Sequence, residues 1–223
     1  MVRDTFRTHN IMRWARNEEV DILFDVGANI GQFAKECRAK GFDGLIYSFE
    51  PIISTHRILV RNFTGDKNWH GFQIALSDEI GTGVMGVSAN SGLSSSFLLP
   101  TSLHLENFPE VNYSREELVL KETLDYFIQR KNLDFHNGFL KLDVQGYEEK
   151  VLRGVSNNLS RFKFIQVECS ISPMYSNEHT IQSILDLLHN SGFKIIDFEN
   201  GVRSRDGYLL QMDLLFIRNP AGK

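Results

Sequence analysis

The chain has 223 residues, 42% of them apolar and 23% charged, with a formal net charge of -4. That length suits one domain with a substantial core, and the mildly acidic balance lacks the basic footprint of a nucleic-acid binder. The apolar runs are too short to span a bilayer, and the arginine-studded first twenty residues are not expected to direct secretion.

In chain order, Ile11, Trp14 and Ala15 have helical spacing and predict an amphipathic N-terminal extension over residues 1–20. DILFDV (Asp21–Val26) reads as a buried strand, and Ile30–Lys40 as a helix closed by Gly41. LIYSFE (Leu45–Glu50) is a second strand, followed by a helix over Ser54–Asn62, and GFQIALS (Gly71–Ser77) is a third. Asp78–Val87 reads as a turn and a short strand, and Leu124–Gln129 as a helix. FLKLDV (Phe139–Val144) and FIQVECS (Phe164–Ser170) are strands, with helices over Tyr147–Val155 and His179–Asn190. FKIIDF (Phe193–Phe198) and LQMDLLFIR (Leu210–Arg218) close the chain as an antiparallel edge pair. Strands alternating with helices predict an α/β fold around a mostly parallel sheet.

Asn90–Leu118 breaks the pattern, being serine-rich with scattered aromatics and no clear period. A long irregular stretch in a compact fold is usually functional, so this segment is expected to wall or cover the site. Cys37 and Cys169 lie in apolar segments and read as packing thiols of a chain in a reducing, cytoplasmic compartment.

Ligands of open parallel sheets bind outside the carboxyl ends of the strands. Asp25, Glu50 and Asp143 stand at or beside predicted strand ends, and Glu168 is close to another. Carboxylates are seldom buried alone, so four in register predict a shared polar crevice. Gly27 and Gly31, in the turn FDVGANIGQF, permit positive φ and close approach of a ligand to the backbone. The spacing is not the G-x-G-x-x-G of dinucleotide folds. Glu50 follows the turn by about twenty residues, where an acid reaches a ribose. It would repel a 2′-phosphate, which points to an unphosphorylated nucleoside.

These residues resemble a known family. FDVGANIGQF, YSFEP, IALSD, TLDYF, LKLDVQGYEEKVLRG, IQVECS and DLLFIR are similar to the FkbM family of S-adenosylmethionine-dependent methyltransferases, over roughly Asp21–Arg218. The resemblance implies a Rossmann-like seven-stranded sheet with an antiparallel last strand and helices on both faces. It implies S-adenosylmethionine as cofactor, with Asp25, Gly27, Asn29 and Gly31 on its methionine part and Glu50, beside Pro51, on the ribose. Ala75, Leu76 and Ser77, with Asp78 next in line, would flank the adenine. Many relatives carry glutamate at the position of Gln145, which argues against Gln145 as an obligatory base.

An alcohol is a poor nucleophile and benefits from a base at its proton. Asp143 is the favoured base or orienting acceptor, with Lys141, Glu168 and Glu148 in support and a helix-capping role as its rival. His104, in the irregular segment, is a weaker candidate, and no metal is expected. By family analogy the acceptor is a hydroxyl of a sugar, glycolipid, polysaccharide or natural product. A catalytically silent cofactor-binding module and a nicotinamide-dependent oxidoreductase are the alternatives.

Overall fold

The strand β1 (Ile22–Val26) is buried along its whole length, and its side chains part to two sides. Ile22, Phe24 and Val26 join one apolar cluster and Leu23 another. A strand covered on both faces belongs inside a parallel sheet. Accordingly β1 pairs in parallel with β2 (Leu45–Phe49) and β7 (Gly138–Leu142). The computed structural model describes residues 5–219; residues 1–4, the start of the expected N-terminal extension, lie outside the described residues.

The seven-stranded sheet runs β3-β2-β1-β7-β8-β10-β9, with β3 at Trp69–Phe72, β8 at Phe162–Ser170, β9 at Phe193–Asn200 and β10 at Gln211–Arg218. The strand β10, last in sequence, is antiparallel to both its neighbours. On one face pack α1 (Thr5–Asn17), α2 (Gln32–Ala39) and α3 (Ile53–Asn62), through Ile11, Met12, Ala15, Ala34, Cys37 and Leu59. On the other pack α5 (Leu124–Arg130), α6 (Glu148–Arg153) and α7 (Ile181–Asn190), through Phe127, Val151 and Leu188. This is the mostly parallel sheet with an antiparallel last strand and helices on both faces that the sequence led us to expect.

Two expectations change. GFQIALS is not one strand: β3 ends at Phe72, and Ala75–Leu76 forms β4 of a separate sheet, ordered β4-β6-β5. There β4 pairs with Lys121–Glu122 of β6 (Tyr113–Glu122), and β6 runs antiparallel to β5 (Gly81–Ser88). A continuous β-type run carries no information about which partner each residue takes. The irregular segment is also shorter than expected, because α4 (Ser102–Asn107) and the first half of β6 fall inside it. Ser114, Arg115, Glu116 and Leu118 are all exposed, so this stretch lacks the apolar alternation that marks a half-buried strand. The small sheet buries Ala75, Met85, Val87 and Val119 against Ile52. It thereby builds a second wall beside the carboxyl ends of β1 and β2.

Candidate functional site

The loop after β1 is tied to the end of β2. The N–H groups of Gly27 and Ala28 both donate to the carbonyl of Phe49, at 3.1 and 3.0 Å. Gly27 and Gly31 have φ of 75° and 87°, a region that glycine enters without strain. A Cβ on Gly27 would stand 1.8 Å from the Asp143 carbonyl oxygen, and one on Gly31 would stand 2.4 Å from the Phe63 ring. Both glycines therefore also serve the approach of chain to chain, and Gly27 lines the cleft as well. The helix α2 starts at Gln32, two residues later than the spacing suggested, with Gly31 in the left-handed conformation at its N-cap.

Glu50 follows β2 and is almost wholly buried. Its Oε2 accepts the N–H of Asn29 at 3.0 Å, and its Oε1 accepts the N–H of Ile52 at 2.9 Å. Burial pushes its carboxyl up to about 7, even though both backbone donors act to lower it. Neither neighbour is a cation, and each oxygen keeps a lone pair for a further donor.

Glu50 lines an open cleft. The cleft lies where strand order reverses between β1 and β7, the position at which open α/β sheets bind ligands. Of the candidate cofactor residues, Gly27, Asn29, Glu50, Pro51, Ala75 and Leu76 line it, as do Lys141 and Asp143. Asp25, Gly31, Ser77 and Glu168 are not on its wall. Ser77 is fully buried, with its hydroxyl on Asp78, whose other oxygen meets Lys150 at 2.8 Å.

Behind the wall runs a buried polar row. Ser48, Asp25, Lys141 and Gln166 occupy matching register positions on four adjacent strands. Lys141 Nζ stands 3.2 Å from Asp143 Oδ2 and 3.7 Å from Asp25 Oδ1. Burial raises the pKa of Asp25 against the opposing pull of Lys141. Burial alone would lower the pKa of Lys141, but the Asp143 and Asp25 carboxylates outweigh it and hold the ammonium charged.

Gln145, on the cleft wall, joins this row to Glu168 and Tyr175 behind it. Its Nε2 donates to Asp143 Oδ1 at 2.9 Å and to Glu168 Oε2 at 2.8 Å, and its Oε1 accepts the Tyr175 hydroxyl at 2.8 Å. Its own backbone is left-handed, with φ 57°, so the bridge is held in an uncommon conformation. Burial, then the charges of Asp143 and Asp213, push the Glu168 carboxyl well up.

Asp143 does not occupy the capping position of α6, which belongs to Tyr147. Glu148 ties the preceding turn instead, accepting the N–H groups of Val144 at 2.9 Å and Gly146 at 3.3 Å. His104 is buried away from the cleft, its Nδ1 3.2 Å from the Met174 carbonyl. Cys37 and Cys169 are buried free thiols whose pKa values burial pushes up.

Sequence reasoning missed the apolar lining: Phe33, Ile52, Met85, Phe97 and Tyr147 all face the cleft. Phe97 and Leu93 fell within the irregular segment and could be found only as part of it. Met85 carries an alternation signal that places it on a buried strand face, with no hint of a ligand.

The sequence matches the model of the methyltransferase FkbM domain over residues 25–195. It is 26% identical over 188 residues to the 2-O-methyltransferase NoeI of Sinorhizobium fredii, covering 81% of this chain and 76% of that protein. It is 29% identical over 151 residues to the hexuronic acid methyltransferase AglP of Haloferax volcanii, covering 68% of this chain and 56% of that one. In fold it is similar to an rRNA methylase from Streptococcus thermophilus, with a TM-score of 0.51, 10% identity and 99% of each chain covered. The magnesium protoporphyrin IX methyltransferase of Synechocystis, solved with bound SAM, gives a TM-score of 0.50 at 11% identity, covering 96% of this chain and 79% of that one.

Proposed function

Because the chain belongs to the FkbM methyltransferase family, we propose that it moves the methyl group of S-adenosylmethionine onto a hydroxyl of a sugar or glycan. The observation that carries this reading is the buried Glu50 carboxylate on the wall of the cleft, which among the described residues has no cation beside it. Such a group suits the two hydroxyls of a ribose, each of which donates to one oxygen in a charge-assisted bond. Phe49, Ile52, Ile74, Met85 and Phe97 give the purine an apolar surface, while Gly27 and Asn29 line the opposite loop. Asp25 and Gly31 act from behind, Asp25 by holding Lys141 and Gly31 by setting the loop.

When bound, S-adenosylmethionine supplies a methyl group already activated by its sulfonium. The chain has then to orient the attacking hydroxyl, take its proton and exclude water. Asp143 lies between Lys141 and Gln145, which fix its two oxygens from either side. Its remaining lone pairs orient the acceptor hydroxyl and receive the proton. Lys141 and Glu168 support it, the first directly and the second through Gln145. Phe33, Phe97 and Tyr147 cover the site with apolar surface.

The names of the two curated relatives, a 2-O-methyltransferase and a hexuronic acid methyltransferase, support a carbohydrate acceptor. The net charge of -4 suits a small or glycan acceptor better than a nucleic acid. One methyltransferase domain acting in a reducing cytoplasm fits the buried free thiols. Among the described residues, no helix is long and apolar enough to cross a membrane.

The test incubates the purified protein with methyl-tritiated S-adenosylmethionine and a panel of sugars, glycosides and oligosaccharides. Label in a sugar ether supports the reading. Cofactor binding with no label in any acceptor would favour the silent module instead.

A further inference from the structure

The carboxamide of Gln145 touches three side chains at once. One end faces Asp143 Oδ1 at 2.9 Å and Glu168 Oε2 at 2.8 Å, and the other faces the Tyr175 hydroxyl at 2.8 Å. An ionised carboxylate accepts and cannot donate, so the end toward Asp143 has to be the NH2 group. The carbonyl then points at Tyr175, whose single hydroxyl hydrogen completes the set. Burial pushes the Tyr175 hydroxyl well above its ordinary value, so it keeps that hydrogen. The Ser94 carbonyl, a second acceptor for it, stands farther off at 3.3 Å. Tyr175 lies in the loop between β8 and α7, buried and off the cleft wall. Its ring packs with Met174, Leu210 and Leu98, and its N–H donates to Glu178 at 2.8 Å. The backbone of Gln145 has its own anchor, because Ser96 Oγ donates to the Gln145 carbonyl at 2.7 Å. The freedom left at Gln145 is therefore in its side chain, and the Tyr175 hydroxyl removes it.

We propose that Tyr175 is a positioning residue for methyl transfer: its hydroxyl fixes the Gln145 carboxamide, which in turn fixes Asp143 opposite Lys141. The inference rests on the methyl-transfer reading and adds to it a residue that is not on the cleft wall. Lys141 Nζ holds Asp143 Oδ2 at 3.2 Å, and Gln145 Nε2 holds Oδ1 from the other side, so the two donors together set the plane of the carboxylate. Without the Tyr175 hydroxyl the carboxamide is free to turn over. Its carbonyl oxygen would then meet the acceptor oxygens of Asp143 and Glu168, and like partial charges repel. Asp143 answers by swinging away or by taking a proton, and in either state it is a poorer base.

The test is a double-mutant cycle on the full chain, with Tyr175→Phe, Gln145→Met and the two combined. Phenylalanine keeps the buried ring and loses only the hydroxyl. Methionine keeps the bulk of Gln145 without its polar ends, and the Tyr175 hydroxyl can then turn to the Ser94 carbonyl. Tyr175→Phe is expected to lower kcat about tenfold through misalignment of the base. Its dissociation constant for S-adenosylmethionine, read by calorimetry, should stay within about twofold of the unaltered chain. Against a Gln145→Met background the same change should cost less than about twofold in kcat, because the residue it acts through is gone. An equal loss in both backgrounds, an unaltered kcat in Tyr175→Phe, or failure of that variant to fold overturns the proposal and leaves the hydroxyl to the fold alone. If the unaltered chain methylates no acceptor, the transferase reading fails, and NMR still decides whether Tyr175 fixes Gln145. The side-chain amide hydrogens of Gln145, identified by their absence in Gln145→Met, should exchange with water about tenfold faster in Tyr175→Phe. Unchanged exchange there overturns the positioning itself.

Discussion

Oε2 of Glu50 accepts the backbone N–H of Asn29 at 3.0 Å, across 21 residues of sequence. One side chain thereby fastens the loop after β1 to the end of β2 while it faces the cleft. Glu50→Ala should weaken S-adenosylmethionine binding by about a hundredfold or more, since two charge-assisted bonds of about 1.5–3 kcal/mol each are lost. Isothermal titration calorimetry reads this directly. Circular dichroism shows whether the loop survives loss of its anchor. A folded variant with unaltered affinity would remove Glu50 from the ribose.

The same carboxyl predicts how binding depends on pH. Burial places its pKa near about 7 in the free protein, and hydroxyl donors bind the ionised form better. Cofactor binding must then release a proton wherever Glu50 is protonated. Affinity should be flat above pH 8 and fall roughly tenfold per unit well below 7. Calorimetry in two buffers of different ionisation heat measures the proton released at pH 6. No proton release there would contradict the assignment.

Much of this site was legible in the sequence, because strand ends and glycine turns are local features. Asp25, Glu50 and Asp143 could be placed at strand ends from the apolar runs alone, and the structure brings Glu50 and Asp143 to one cleft. What the sequence did not reveal is long-range. A second demand on Gly27 appears only when Asp143, far along the chain, arrives behind it. Gln145 looked like a passive substitution until it was seen bridging Asp143 and Glu168. The small sheet was hidden for another reason: its strand β6 exposes polar residues where a strand pattern needs apolar ones.

Asp143→Asn should leave cofactor affinity within a few-fold while slowing turnover by about a hundredfold or more, the usual scale of a lost base. The carboxamide oxygen still accepts from Lys141, so the fold is expected to hold. A rate equal to that of the unaltered protein, at saturating acceptor, would reduce Asp143 to a structural partner of Lys141.

Glu148 bears on stability instead of binding. Burial pushes its carboxyl from 4.5 up to about 8, so the folded chain keeps a proton that the unfolded chain releases. Its contribution is therefore fully present below about 4.5 and is lost as pH rises through about 8. Glu148→Gln keeps an oxygen for the N–H groups of Val144 and Gly146 but has no proton to lose. Denaturant melts of the two proteins should agree at low pH and diverge as pH rises. The variant should gain at most a few kcal/mol near pH 9. Parallel pH profiles would show that the carboxyl is not buried as described.

The irregular segment divides into two parts, and a pair of substitutions separates them. Gly92, Leu93, Ser95 and Phe97 line the cleft. From Leu98 to Phe108 the chain packs instead against Met174, Tyr175 and Leu210, with the His104 ring edge-on to Tyr175 at 4.9 Å. Leu93 is exposed, so Leu93→Ala removes little buried surface and should change stability by under about 0.5 kcal/mol. It should nonetheless alter KM for cofactor or acceptor, because its side chain covers the cleft. His104→Ala does the reverse. It opens a buried cavity and strands part of the Tyr175 ring, at a cost of roughly 2–4 kcal/mol, which lowers the melting temperature by about 5–10 °C for a chain of this size. Its KM values should stay near those of the unaltered protein, since His104 is not on the cleft wall. Thermal melts and steady-state kinetics on both variants decide the matter. A kinetic defect in His104→Ala with an unchanged melting temperature would put that histidine back at the site.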